Sequence, residues 1–163
     1  MALQLPEELA GLLYELGYLW PQIDEDQLHT LAGAWTAFGS DLAVLVERAD
    51  ALARQVVQHN DGPAVAGFTE EWTHEDAPHT VAVDGATGAQ VLAACLAVCS
   101  ALVVALKIVV AVQLAVLLTQ IVRALATAPL TYNRSLLKIP AYKKAADRLL
   151  NLAFSQTAGV ILA

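Results

Sequence analysis

Apolar residues in this chain recur at intervals of three and four, the period of an amphipathic helix, and the pattern breaks at a small number of turn signals. The first stripe is Leu9, Leu12, Leu13 and Leu16. Pro6-Glu7-Glu8 opens it, with proline at the first helical position and acids near the positive end of the helix dipole, and Gly17 ends it. Tyr18-Leu19-Trp20-Pro21 then predicts an extended link, because a residue before proline avoids the helical region. Asp24 is an N-cap with Gln27 completing a capping-box pattern, and a long helix is predicted from there to about His59. Its apolar stripe is Leu28, Leu31, Ala32, Trp35, Phe38, Gly39, Leu42, Leu45, Val46, Ala49, Leu52 and Val56.

Asn60-Asp61-Gly62-Pro63 reverses the chain, and Pro63 opens a short helix over residues 64–73 that carries Phe68 and Trp72. Residues 81–88 hold two glycines and an alternating pattern, which predicts a loop or an irregular lead-in, since a lone strand would have no second strand to pair with. From about Ala89 to Ala128 the chain is helix-forming and apolar on nearly every side, ended by Pro129. A basic amphipathic helix follows over residues 141–154, with Ala145, Leu149 and Leu152 inside and Lys143, Lys144 and Arg148 outside, and an uncapped apolar tail over residues 157–163. The expectation is one all-α domain over residues 1–163. It comprises a first arm with an N-terminal helix (3–60), a turn and irregular segment (61–88), a long apolar helix (89–128) and a C-terminal basic helix and tail (129–163). Helices 24–59 and 89–128 then form a long antiparallel hairpin or bundle, with short terminal helices closing it.

Composition sharpens the burial problem. The chain is 57% hydrophobic and 15% charged, against roughly 45–50% and about 25% in ordinary globular domains. Residues 91–126 contain Lys107 and Arg123 as their only charges, so they must be covered by protein or by lipid. The uncharged runs 91–106 and 108–122 each fall short of the roughly 20 residues that span a bilayer, and a single spanning helix would place Lys107 near the midplane at a cost of about 3 kcal/mol. Lys107 either snorkels from a core edge or pairs with an acid from residues 24–76. Dense alanine favours close packing between helices, so burial in protein is the leading expectation and membrane insertion the alternative.

Charge is divided along the chain. Residues 1–84 hold fifteen of the sixteen acidic residues with Arg48 and Arg54, whereas residues 85–163 hold seven basic residues and Asp147. The two parts attract each other, within a chain or between copies. The one basic run, near residues 134–148, is too short a footprint to predict nucleic-acid binding. His74 and His79 flank Glu75 and Asp76, but i, i+5 spacing across Pro78 gives no metal-binding pattern. Cys95 and Cys99 share one helix face and read as small hydrophobes. With no catalytic triad, phosphate loop or dinucleotide fingerprint, no catalytic residue, metal or cofactor is assigned and the expected role is non-enzymatic. The first residues lack a basic, apolar leader, so no cleavable signal peptide is expected.

Residues 20–28 (Trp20-Pro21-Gln22-Ile23-Asp24-Glu25-Asp26-Gln27-Leu28) and 31–39 (Leu31-Ala32-Gly33-Ala34-Trp35-Thr36-Ala37-Phe38-Gly39) carry a resemblance. With Leu5-Pro6-Glu7-Glu8-Leu9, Trp72 and the helix around Lys107, they resemble the N-terminal helical, WXG-like domain of actinobacterial type VII-secreted polymorphic toxins, including the mycobacterial necrotising-toxin channel-like proteins. The likeness covers about residues 3–128. It implies an export and interaction module of a larger secreted toxin, paired with a small helical partner or with itself. It further implies secretion machinery as partner, a secreted or cell-envelope location after synthesis in the cytoplasm, and a packing signature at Trp20, Trp35, Phe38, Gly39, Trp72 and Lys107. The sequence departs from the pattern: Gly39 lies four residues after Trp35, and no tyrosine is followed at i+4 by an acid, since Tyr14, Tyr18, Tyr132 and Tyr142 precede Tyr18, Gln22, Leu136 and Ala146. The toxin chemistry is expected beyond Ala163 or in another gene, and the second reading is a membrane-inserting or pore-forming protein using residues 91–126.

Overall fold

The computed structural model describes residues 3–161. Among the described residues it is all-α: α1 (Glu7–Glu15), α2 (Glu25–His59), α3 (Pro63–Trp72), α4 (Pro78–Thr127), a 3-10 helix (Arg134–Lys138) and α5 (Ile139–Ile161). The chain groups into two compact units, Met1–Asp26 with Cys99–Ala163, and Gln27–Val98. The long helices α2 and α4 each contribute to both.

Helix boundaries follow the local chemistry. The Asp24 carboxylate accepts the Asp26 backbone N–H at 3.0 Å, and Glu25 and Asp26 occupy the first turn of α2. Gly62, at φ 108°, makes the reversal that Pro63 follows as the first residue of α3. Gly17 turns the chain out of α1 at φ 86°. Pro6 serves as the N-cap of α1 at ψ 147°, one position earlier than proline's usual place inside the helix.

In the unit Gln27–Val98, α2 and α4 run antiparallel: Gln90 Nε2 donates to Thr36 O at 3.2 Å, and further along, Gly39 faces Ala86 and Ala89. A Cβ on Gly39 would stand 2.8 Å from Gln90 Nε2, 3.1 Å from Ala86 O and 3.2 Å from Ala89 Cβ, so the close crossing requires glycine. In the other unit, Leu13, Val110, Leu114 and Leu150 form the buried core, with Leu9, Leu12, Leu16, Trp20 and Phe154 packed around them. Tyr18 stacks on Phe154 at 5.4 Å, and its hydroxyl donates to Asp147 Oδ1 at 2.9 Å.

Four expectations are corrected. Residues 81–88 are helical, and α4 begins at Pro78 rather than Ala89. Proline at the first position nucleates the turn, and the buried Ala86 and Ala89 against α2 outweigh the helix cost of Gly85 and Gly88, about 1 kcal/mol each. Residues 157–161, expected as a tail, continue α5. Its inner face is Ala146, Leu150 and Phe154, not Ala145, Leu149 and Leu152, of which Leu149 and Leu152 are exposed. The bond from Tyr18 to Asp147 accompanies this rotation, since it holds Asp147 on the side that faces Tyr18. On α2 the buried seam is narrower than the apolar stripe. Leu28, Ala32, Trp35, Gly39, Leu42, Val46 and Ala53 are buried or half-buried, at the alternating three and four spacing of a coiled-coil seam, whereas Leu31, Phe38, Leu45, Leu52 and Val56 are exposed.

Candidate functional site

The burial pattern of α4 defines the problem the protein solves. Ala86, Ala89, Ala93 and Leu96 in one unit, then Ser100, Val103, Lys107, Val110, Leu114, Leu117 and Ala124 in the other, turn inward at the same alternating spacing. The sequence outside that seam is almost as apolar, yet it is uncovered: Val91 and Val98 in the first, and Ile108, Val109, Val112 and Val116 in the second, are exposed. Only 22% of the most apolar 18-residue window is buried, and by length and composition α4 is the one helix among the described residues able to cross a membrane.

Lys107 takes an inner position of this seam and is 2% exposed. Its Nζ lies 2.5 Å from Glu25 Oε2 and donates to Ile23 O at 2.7 Å, with the Trp20 ring centroid 5.9 Å away. Of the two placements expected for Lys107, the structure realises pairing with an acid. Glu25 Oε1 accepts the Leu3 N–H at 2.6 Å, and Ser100 Oγ donates to the Glu25 carbonyl at 2.9 Å. Glu25 thus ties the N-terminal segment, the start of α2 and the middle of α4 together. The Leu3 N–H, and after it the Lys107 ammonium, hold its carboxyl down from an ordinary value of 4.5 to about 2, against the opposing effect of burial. The signal for Glu25 lay in the register: it stands three residues before Leu28, on the buried seam of α2, where a carboxylate needs a cation.

The remaining residues of the expected signature fall into separate settings. Trp20 packs on the core beside Lys107, and its Nε1 donates to Leu3 O at 3.3 Å. Trp35 and Phe38 meet edge to face at 5.8 Å and, with Leu31 and Ala34, line an apolar groove on the outside of α2. Gly39 is the helix crossing. Trp72 stacks between Phe68 and His79 at 5.7 and 4.8 Å, and its Nε1 donates to Asp50 Oδ1 at 3.3 Å. His79, in the first turn of α4, also brings its Nε2 to 2.9 Å from Asp50 of α2, a close approach without hydrogen-bond geometry, so its stacking on Trp72 is the better-defined contact. Spacing alone could not find this contact, since Asp50 and His79 are 29 residues apart. Cys95 is exposed and Cys99 half-buried, both as free thiols.

A glycine crossing pairs α2 with α4 in the unit Gln27–Val98, a buried ion pair joins the start of α2 to α4 in the other unit, and each unit leaves apolar residues of these helices uncovered. Comparison with curated proteins and with solved structures returns no match. The family model described as the WXG100-like domain matches residues 3–149, nearly the whole chain, and the chain belongs to that family, which links it to type VII secretion.

Proposed function

We propose that this chain is a non-enzymatic export and interaction module of type VII secretion, acting as the N-terminal part of, or in company with, a larger secreted toxin. The observation that carries the reading is the WXG100-like match over residues 3–149. The uncovered strips of α2 and α4 support it, because a helix pair that exposes Phe38, Leu45, Val109 and Val112 to water is incomplete until a helical partner or the secretion machinery covers them. In this reading Trp20, Trp35, Phe38, Gly39, Trp72 and Lys107 act by shaping the helix pair and its partner surface, and no cofactor takes part. The test fuses a reporter after the chain and expresses it with its neighbouring genes in cells with and without functional type VII machinery. Reporter in the medium only when the machinery is intact is the expected result. Reporter released equally from both strains, or retained by both, refutes the proposal.

A second reading rests on the 22% burial of the apolar window in α4: the helix enters lipid as part of a membrane-inserting protein. Flotation with liposomes that survives alkaline carbonate would support it. A purified chain that is monodisperse without detergent and stays behind when liposomes float would refute it.

A further inference from the structure

The three most exposed large apolar side chains among the described residues lie within eight positions of one another: Leu130 at 83%, Tyr132 at 92% and Leu137 at 79%. They stand on the connection between α4 and α5, inside one compact unit. Leu130 and Tyr132 line an open cavity of about 510 Å³ with Arg134 and Lys138, which are exposed and, among the described residues, make no ion pair. From Arg123 to Arg148 the chain carries six basic residues and one acid, Asp147, which is bonded by Tyr18. The turn also closes its own hydrogen bonds. Asn133 N–H donates to Ala128 O at 2.9 Å, Arg134 N–H to Thr131 O at 3.0 Å, and the buried Ser135 Oγ to Ala124 O at 2.7 Å. Tyr132 and Asn133 are both left-handed, at φ 47° and 65°. Asparagine tolerates that conformation, but a tyrosine held there is sterically strained, and a strained residue that gains no packing points to a use for its side chain.

We propose that this turn is a docking tip for a bilayer surface carrying anionic phospholipids. Leu130, Tyr132 and Leu137 enter the headgroup boundary, where a tyrosine keeps its ring in the apolar layer and its hydroxyl in water, and Arg134 and Lys138 meet lipid phosphates. A turn leaves water at low cost only when its peptide groups keep partners, and the bonds within this one travel with it. Chemistry selects the occupant. An apolar protein surface would strand the two cations, and a nucleic acid would give the two leucines nothing to bury them, whereas an anionic bilayer surface meets both needs. The contact is peripheral and requires no entry of α4 into lipid, which separates it from the membrane-inserting reading above. It depends on neither export nor a helical partner, so its failure leaves the secretion test untouched.

The experiment floats the full chain with vesicles of phosphatidylcholine alone and of phosphatidylcholine mixed with phosphatidylglycerol. Wild type is expected to bind the anionic vesicles only, and to bind them more weakly as salt rises from about 0.1 to about 0.5 M. Arg134→Gln with Lys138→Gln should weaken binding about 25-fold, roughly fivefold for each base. Tyr132→Asn with Leu137→Ser should weaken it at least about tenfold through lost apolar burial. Asparagine suits the left-handed position and all four side chains are exposed, so far-ultraviolet circular dichroism should show unchanged helix content in both variants. Tyr14→Ser removes a tyrosine that is 75% exposed on α1, and should bind as wild type does. A wild-type chain that ignores anionic vesicles, tip variants that bind like wild type, or a Tyr14→Ser chain that loses as much as they do overturns the proposal. Binding to neutral vesicles that resists salt and alkaline carbonate and survives both tip variants would assign the lipid contact to α4 and overturn it equally.

Discussion

Replacing Glu25 by glutamine should destabilise the fold by about 3 kcal/mol at neutral pH, and the loss should disappear in acid. The amide would keep the shape and could still accept the Leu3 N–H, but it would leave Lys107, 2% exposed, without a counter-charge, and breaking one side of a buried pair costs about 3–5 kcal/mol. The displaced titration of Glu25, caused first by the Leu3 N–H and then by the Lys107 ammonium, sets the pH range over which the carboxylate matters. A carboxyl at about 2 when folded and 4.5 when unfolded stabilises the native state by about 3 kcal/mol, at roughly 1.4 kcal/mol per unit. Because the folded value is the lower one, this contribution is fully present above pH 4.5 and is lost as pH falls towards about 2. Urea denaturation of wild type and E25Q between neutral pH and pH 2.5 measures both effects: the gap in midpoint should be wide at neutrality and narrow steadily below pH 4.5. Adding Lys107→Met to E25Q removes the stranded cation, so the double variant should regain most of the loss. An E25Q variant within about 0.5 kcal/mol of wild type at pH 7, or a double variant as unstable as the two single losses added together, would refute the account of a coupled buried pair.

Gly39→Val should cost about 2 kcal/mol in a thermal or urea melt, because its side chain meets the backbone of Ala86, whereas Gly33→Ala, with nothing within 4 Å of the new Cβ, should gain up to about 1 kcal/mol from helix propensity. Leu150→Ala should cost about 3 kcal/mol and Leu149→Ala under about 0.5, since Leu150 is fully buried and Leu149 exposed; the reverse order would restore the face read from sequence. Burial, and then the bond to Asp147, raise the Tyr18 phenol above its ordinary value of 10.0. Its ultraviolet titration should therefore lie above that ordinary value, and Tyr18→Phe should cost about 1 kcal/mol at neutral pH, where the phenol is protonated and the contribution complete.

The helices were legible where punctuation and period agreed. Asp24, Gly62 and Pro63 mark ends that the backbone respects, and the three-four stripe of α1 packs as its leucines imply. Reading failed where a helix offers more apolar residues than its seam can bury. On α2 and α5 the periodicity is satisfied by two adjacent strips, and only the partner's geometry decides which turns inward. In α5 that decision is accompanied by the Tyr18–Asp147 bond, 129 residues apart in sequence, and in α4 the two glycines that argued against helix are tolerated because alanines on either side pack closely. Glu25 was hidden for the same reason: its charge reads as a helix-start acid, and only its register with Leu28 and Ala32 places it inside.

In the proposed reading, that surplus of apolar surface is what a partner covers. A helix as uniformly apolar as α4 has no intrinsic register, because one rotation buries nearly as much as the next and the hydrophobic effect does not discriminate among them. Lys107 breaks the degeneracy. Only one rotation brings its ammonium to Glu25 and Ile23 O, and every other leaves a buried carboxylate and a stranded cation. The single charge in the middle of α4 thus acts as a register pin, with the Gly39 crossing setting the distance between α2 and α4 in the other unit. Once the rotation is set, the outward residues Val109, Val112 and Val116 are set as well, so the partner surface inherits its definition from a buried ion pair it never touches. The E25Q/K107M chain should then regain stability without regaining a unique rotation of α4, and a partner or a neighbouring copy should bind it more weakly than it binds a wild-type chain of equal stability.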